Sequence, residues 1–457
     1  MTRHVCARKS KLERKLVLDS YKKALNTFNN KFKLHISIIV DEILKKINPI
    51  SIYLIGSFGR NEGSLYLSRT SVNPIRDYDI LIIIDEPVKS DVVRDTMRSI
   101  NERLMSEDKD LKSFGSENFS VWITQLKLRD INALPLLKIY ELKKASKILW
   151  GRDIRDSIRM QFRDVSKYNG LLILIGKVLG LLELTDINLL RSKAKSGKLI
   201  NFVYECLKTN VEISTCLSLL TKIYEPTFLL RCYKISEKMH TLFPELEENY
   251  GSIASQMVRC AYRRLLIEDS YIQGLDTWAI FSCSFQNLKV MTSYYLWKAF
   301  GIYIKDFVEQ PNTFNSRYHS IVLQDLIGYY IKKRFGINSR FVQELAARFY
   351  LRYTLIMFFV KARRKGYQVK PAIIFMRGGN IVLKLWFLGL QLLDCLKRGF
   401  EVNELKLSLV EERLSEIVYL ADKSRLQVKS RCAKFSYLQR IITGLLVVAD
   451  KVFHRKN

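Results

Sequence analysis

Between Ile52 and Asp85 the chain reads IYLIGSFGRNEGSLYLSRTSVNPIRDYDILIIID. An apolar run ends in Gly56-Ser57, a polar loop follows, and Asp77-Tyr78-Asp79 leads into a second apolar run. In a strand, residues i and i+2 point to one face, so Asp77 and Asp79 project side by side with Tyr78 turned away. Two close carboxylates repel each other and need a cation between them. Hard oxygen ligands at this spacing suit Mg²⁺ or Mn²⁺, which keep several waters and share a nucleotide's phosphates with the protein. Gly56 permits close backbone approach, Ser57 supplies a hydroxyl, and a turn after Ser57 offers N–H groups to a phosphate. The plainer alternative for the acid pair is a strand entry that faces solvent.

Outward from this stretch, apolar residues at helical spacing predict one or two helices over 11–47, before Asn48-Pro49. A first strand over 51–55, an exposed loop or hairpin over 61–76 and a second strand over 78–84 follow. Asp85-Glu86-Pro87 closes that strand as a solvated turn. A helix over 89–105, a third strand over 119–128 and a helical stretch over 133–148, stopping at Trp150-Gly151, complete this part. Beyond Gly151 helical patterns dominate, including a strongly apolar helix over 170–184. Turn signals stand at Glu309-Gln310-Pro311, Lys365-Gly366 and Arg377-Gly378-Gly379. The pattern divides the chain at about 160 and 270: residues 1–160, a helical domain over 161–270, and a C-terminal helical domain over 271–457.

The 457 residues hold 75 Lys plus Arg against 45 Asp plus Glu, a formal charge of +30. Such an excess favours polyanionic partners: nucleic acid, nucleotide phosphates or an acidic membrane surface. The cations are spread over the whole length, as on a solvated basic surface. The eight cysteines, at 6, 206, 216, 232, 260, 283, 395 and 432, form no CxxC pair, which fits buried thiols in a reducing compartment. The basic start lacks an apolar signal core, and the expected location is cytoplasmic. The most apolar stretches, 353–360 and 385–393, are bounded by charges and fall short of the ~20 residues of a spanning helix. No transmembrane segment is expected, and both read as core faces. The five histidines, at 4, 35, 240, 319 and 454, suggest no His-based catalysis. The aromatic and basic mixture over 340–364 suits base stacking, but the spacing of Phe341, Leu345, Phe349, Tyr353 and Ile356 assigns it mainly to a core.

A Gly-Ser ending one strand with a D-x-D on the next resembles the DNA polymerase beta-like nucleotidyltransferase superfamily. The likeness is closer to a prokaryotic branch with GSFGR-x-EGS, a longer loop, then D-Y-D. The matching residues are Gly56-Ser57-Phe58-Gly59-Arg60, Glu62-Gly63-Ser64 and Arg76-Asp77-Tyr78-Asp79. Tyr140-Glu141-Leu142-Lys143 through Ile148-Leu149-Trp150-Gly151 resembles the segment that closes the core in that branch. Tyr224-Glu225-Pro226 and Arg231 are similar to its following helical domain. The resemblance covers roughly the first 250 residues. It implies an α/β (α+β) nucleotidyltransferase core with a short mixed sheet, followed by all-α helical domains.

It also implies a chemistry. Asp77 and Asp79 would be catalytic and would hold two Mg²⁺ (or Mn²⁺) ions. Gly56 and Ser57 would hold the triphosphate of an NTP substrate, and Arg60 would neutralise phosphate charge. Lys198, with Lys193 and Lys195, forms a basic cluster where a triphosphate or an acidic acceptor would dock; a solvated face is the alternative. Glu62 fits a structural role in ordering the loop better than that of a ligand. The acceptor hydroxyl belongs to a small molecule, a protein or an RNA end; neither it nor the oligomeric state follows from the sequence. One departure stands out. The family's third carboxylate comes from a later strand, and Phe119-Ser120-Val121-Trp122-Ile123-Thr124-Gln125 carries none. Glu117 and Asp130 are the nearest acids. Loss of that acid would weaken transfer and leave a protein that binds nucleotide, RNA or a protein partner.

Overall fold

The computed structural model of the protein describes residues 2–115, 119–192, 197–302, 339–370, 381–418, 420 and 430–454. Backbone alone is described at 2–14, 340, 343–352, 354, 381–383 and 449–454. With no glycine or proline before Pro49, the start is one helix, α1 (Thr2–Lys46). Then come β1 (Ser51–Ile55), the single turn α2 (Gly56–Gly59), β2 (Leu65–Leu67), β3 (Val72–Pro74) and β4 (Arg76–Ile84). Next are α3 (Ser90–Glu107), α4 (Lys109–Phe114), β5 (Phe119–Lys127), α5 (Leu137–Ala145) and β6 (Lys147–Gly151). A helical run follows: α6 (Tyr168–Leu184), α7 (Ile187–Ser192), α8 (Gly197–Thr221), α9 (Phe228–Glu237) and α10 (Met239–Leu242). It continues with α11 (Pro244–Tyr250), α12 (Ser252–Leu265), β7 (Leu266–Glu268), α13 (Asp269–Gln273) and α14 (Thr277–Phe300).

The chain divides into two interleaved units, 1–166 with 195–276 and 167–194 with 277–457. The first unit is α+β. Its main sheet has the order β5-β4-β1-β6; β1 runs antiparallel to both neighbours, and β4 and β5 run parallel. Alternation along the strands decides which face is covered. Ile52, Leu54, Tyr78, Ile80, Ile82, Phe119 and Val121 are buried with Ile39 and Ile43 of α1 and Ile100 and Leu104 of α3. Each fully buried aliphatic side chain there contributes ~1.5–3 kcal/mol. The opposite face carries Asp77 and Asp79.

Two features of this unit differ from the sequence expectation. The helical stretch expected over 133–148 is the shorter α5 followed by strand β6, which pairs with the edge of β1 that β4 leaves free. A run as short as Ile148-Leu149-Trp150 has no period with which to tell helix from strand. The loop over 61–76 is a hairpin, β2 against β3, and beyond Asn61 only Arg69 and Thr70 at its tip are exposed. Leu65 and Val72 enter the core, β7 extends the hairpin in parallel with β2, and Tyr21 Oη of α1 donates to the Gly63 carbonyl at 2.8 Å.

The second unit is largely helical, built on α6, α7, α14 and helices Arg340–Arg364, Ile381–Asp394, Glu404–Ser415 and Arg431–His454. The stretch 385–393 is buried, as its composition predicts. Helix Arg340–Arg364 differs: Leu355, Phe358 and Ala362 are buried, whereas Phe341, Tyr353 and Ile356 are 73%, 42% and 45% exposed. The stripe picked out in the sequence is therefore not the buried one at these positions. Turn signals at 309–311 and 377–379 lie outside the described residues. Of the seven cysteines whose side chains are described, five are buried and all are free thiols. Among the described residues no helix is long and apolar enough to cross a membrane.

Tyr78, turned inward between the two aspartates, is anchored by a buried relay. His35 Nδ1 lies 3.0 Å from Tyr78 Oη, and His35 Nε2 lies 3.0 Å from Asp108 Oδ2. A carboxylate only accepts, so Nε2 donates to Asp108, and in the neutral ring Nδ1 accepts from Tyr78. Asp108 Oδ1 also accepts the N–H groups of Asp110 and Leu111 and caps α4. Burial alone would raise the Asp108 pKa. The His35 hydrogen bond, the Leu111 N–H and the charge of Lys31 outweigh it and bring the value down to about 2. The unfolded value is ~3.9, so the stabilisation is complete above that pH and is lost as pH falls toward 2. Urea unfolding at pH 5, 4 and 3 is expected to show wild type losing at most about 2 kcal/mol from this group, and Asp108→Asn lacking that component. Parallel pH profiles for the two proteins would contradict the relay's role.

Candidate functional site

β4 starts with a strained residue. Arg76 has φ +67°, a left-handed conformation that costs a non-glycine residue ~1–2 kcal/mol. Its Nη2 donates to Glu205 Oε2 of α8 at 3.2 Å, which ties the strand's entry to that helix. Immediately beyond, Asp77 and Asp79 lie on the open face. Ile55, the last residue of β1, is the ladder partner of Asp79, so Gly56 turns away directly beneath the Asp79 carboxylate. Gly56 has φ +67°, and a Cβ there would lie 2.2 Å from Asp79 Oδ2. Glycine is required twice, by conformation and by this approach.

Burial first, and then the charge of Asp79, push the Asp77 carboxyl above its ordinary value. Ser120 Oγ of β5 donates to Asp77 Oδ1 at 2.8 Å and, with the charges of Arg76 and Lys208, offsets part of that rise. Lys208 of α8 also interacts with Asp79. Burial works against its charge, but Tyr204, Glu205, Glu212 and Asp79 raise its pKa and keep it protonated. Tyr204, one turn back, is buried; burial would raise its phenol, but Lys208 and Arg264 pull it below the ordinary value. Two carboxylates, one hydroxyl and two cations thus converge at the mouth of β4.

Gly56, Ser57, Asp77 and Asp79 come together here. Arg60 is buried elsewhere: its Nη1 pairs with Glu141 Oε1 at 3.0 Å and its guanidinium stacks on Phe228 at 4.2 Å. Tyr224 Oη donates to the same Glu141 oxygen. Arg231 and Arg264 also face the Phe228 ring, each at 4.6 Å. Glu62 accepts the N–H groups of Phe228 and Leu229 at 2.6 and 2.9 Å and so caps α9, the loop-ordering role expected of it. Lys198 is exposed in the first turn of α8, about 15 Å along the axis from Lys208. Lys193, Lys195 and Glu117 lie outside the described residues.

Across the parallel ladder, Ser120 stands opposite Asp77 and Trp122 opposite Asp79, so neither place holds an acid. Asp130 follows the far end of β5, in the short helix over Leu128–Asp130. Among the described residues no group of three or more His, Cys, Asp or Glu side chains is placed to hold a metal. Ser120, Lys208 and the His35 relay were not visible in the sequence. Their partners in β4 lie 43 to 131 positions away, and no local spacing marks them.

No protein-family model matches the chain, and neither a curated protein nor a solved structure matches it. Substitution tests the geometry directly. Gly56→Ala is expected to lower the unfolding free energy by about 1–3 kcal/mol and to shift the Asp79 carboxyl resonance, because the new methyl must displace Oδ2. A resonance and a urea midpoint equal to wild type would show that the carboxylate does not rest on Gly56.

Proposed function

We propose that the first unit binds a nucleoside triphosphate with a divalent ion at Asp77 and Asp79 and transfers its nucleotidyl group to an acceptor hydroxyl. The observation that carries this reading is the Asp79 carboxylate seated on Gly56 with Asp77 beside it, at the end of a strand and a left-handed turn. Two hard carboxylate oxygens fit a magnesium-type ion that completes its shell with water and phosphate oxygens. Bound there, Mg²⁺ would polarise a phosphoryl oxygen and lower the pKa of a coordinated hydroxyl.

The chain's own residues supply the rest. The space that a side chain at Gly56 would fill holds the Asp79 carboxylate, so phosphate would meet this turn through an ion at that carboxylate and through the Ser57 hydroxyl. Lys208 and Arg76 offset charge that the acid pair alone would repel. Ser120 holds Asp77 by a hydrogen bond at 2.8 Å and fixes its rotamer. Arg60, held by Glu141 and Phe228, braces the loop and does not reach for the triphosphate.

A second reading, nucleotide binding with little or no transfer, is favoured by one observation: a serine and a tryptophan stand where a third acid would complete the set. Label transfer from α-phosphate-labelled NTPs with Mg²⁺ or Mn²⁺, over a panel of acceptors, separates the two. Transfer by wild type that falls about 100-fold or more in Asp79→Asn supports the enzyme. Label transfer that arises only in Ser120→Asp, with NTP binding intact in wild type, supports the binding protein. NTP binding absent from wild type, or unaffected by Asp79→Asn, sinks both.

A further inference from the structure

We infer that the open face of β5 beside the acid pair is a stacking platform for a single-stranded nucleic acid, and that the acceptor is therefore a nucleic-acid end. The inference rests on the nucleotidyl-transfer reading and names its acceptor. Ser120, Trp122 and Thr124 alternate with the buried Phe119, Val121 and Ile123, and so share one face. Ser120 donates to Asp77, which makes this the face of the acid pair. Trp122, directly opposite Asp79 in the ladder, is 49% exposed.

An indole is the largest apolar surface a side chain can bury, and its neighbours on either side in the strand are inside. Among the described residues no ring and no cation stacks on Trp122. Half of its surface is exposed, on the face of the carboxylates, where an acceptor's terminal unit must sit for its hydroxyl to reach the site. About 7 Å further along the same face, Thr124 Oγ1 takes a hydrogen bond from Lys138 Nζ at 3.3 Å, and Lys138 is exposed. A hydroxyl, an aromatic face and an ammonium thus follow one another away from the acid pair.

An exposed tryptophan alone would suit any apolar partner. The formal charge of +30 decides among them, because it draws a polyanion, and a single strand is the polyanion whose repeating units carry flat faces to stack. Sequence preference is not required for such binding, since every base offers the same kind of face.

The test uses the full chain and a fluorescently labelled ten-nucleotide RNA, read by anisotropy at two salt concentrations without NTP. Trp122→Ala is expected to weaken binding about 5- to 100-fold, the range of base–aromatic stacking, and Trp122→Phe to retain most of it. Trp150→Ala, at a 38% exposed indole on the opposite edge strand, should bind as wild type does. Photocrosslinking of wild type to an RNA carrying 5-iodouridine supplies a readout independent of any variant's folding, and the adduct should map to the peptide containing Trp122. Unchanged binding by Trp122→Ala, adducts confined to other peptides, or no RNA binding at all would overturn the inference. Calorimetry of wild type with NTP and Mg²⁺ keeps the two failures apart: retained heat leaves the nucleotidyl reading standing, whereas absent heat removes that reading and this inference with it.

Discussion

The contact between the Asp79 carboxylate and the bare backbone of Gly56 constrains everything near it. β1 must end where it does, the chain must turn left-handed at Gly56, and β4 must lie antiparallel to β1 in the one register that sets Ile55 opposite Asp79. A shift of one residue would exchange Asp79 for a buried isoleucine and place the acids in the core, at a cost no surrounding interaction offsets. The register is held from the other side as well. Tyr78 is locked inward by His35 and Asp108, so the acids on either side of it can only face out.

The loop that follows Gly56 is fixed by buried charge. Glu62 caps α9, Arg264 reaches Ser64 Oγ and the Glu62 carbonyl, and Arg60 is bound to Glu141, with three guanidinium groups around the single ring of Phe228. Buried ion pairs of this kind add little net stability, because desolvation cancels much of their attraction. Their effect here is positional. Segments far apart in the chain, the loop after β1, α5, α9 and α12, meet at one point and set the height of the turn beneath Asp79.

Much of this was legible in the sequence where the signal is local. The apolar runs of β1 and β4 and the two-residue spacing of the aspartates state their geometry outright; Gly56 marks a close approach, but that the Asp79 carboxylate makes it follows only from the ladder. β6 was not legible, because three apolar residues satisfy a helix and a strand equally. The hairpin between β2 and β3 was, but its burial was not, since its polar composition hides the few apolar residues that point inward. Arg60 looks like a phosphate ligand in the motif and is a brace in the fold, a distinction made only by Glu141, 81 positions later. The strand over 119–125 shows in the sequence only that it lacks an acid; that Ser120 and Trp122 are the residues opposite Asp77 and Asp79 depends on ladder partners 43 residues away.

The central claim is that the acid pair holds a divalent ion together with a nucleoside triphosphate. Electron paramagnetic resonance of Mn²⁺ tests it most directly, because the signal of the free aquo ion falls as the ion is bound. Titration of the wild-type chain in the presence of a non-hydrolysable NTP analogue should deplete the free signal stoichiometrically and saturably, beyond the depletion by the analogue alone, and Asp77→Asn with Asp79→Asn should abolish that depletion. Equal uptake of Mn²⁺ by the doubly substituted chain, or none by wild type, would contradict the account.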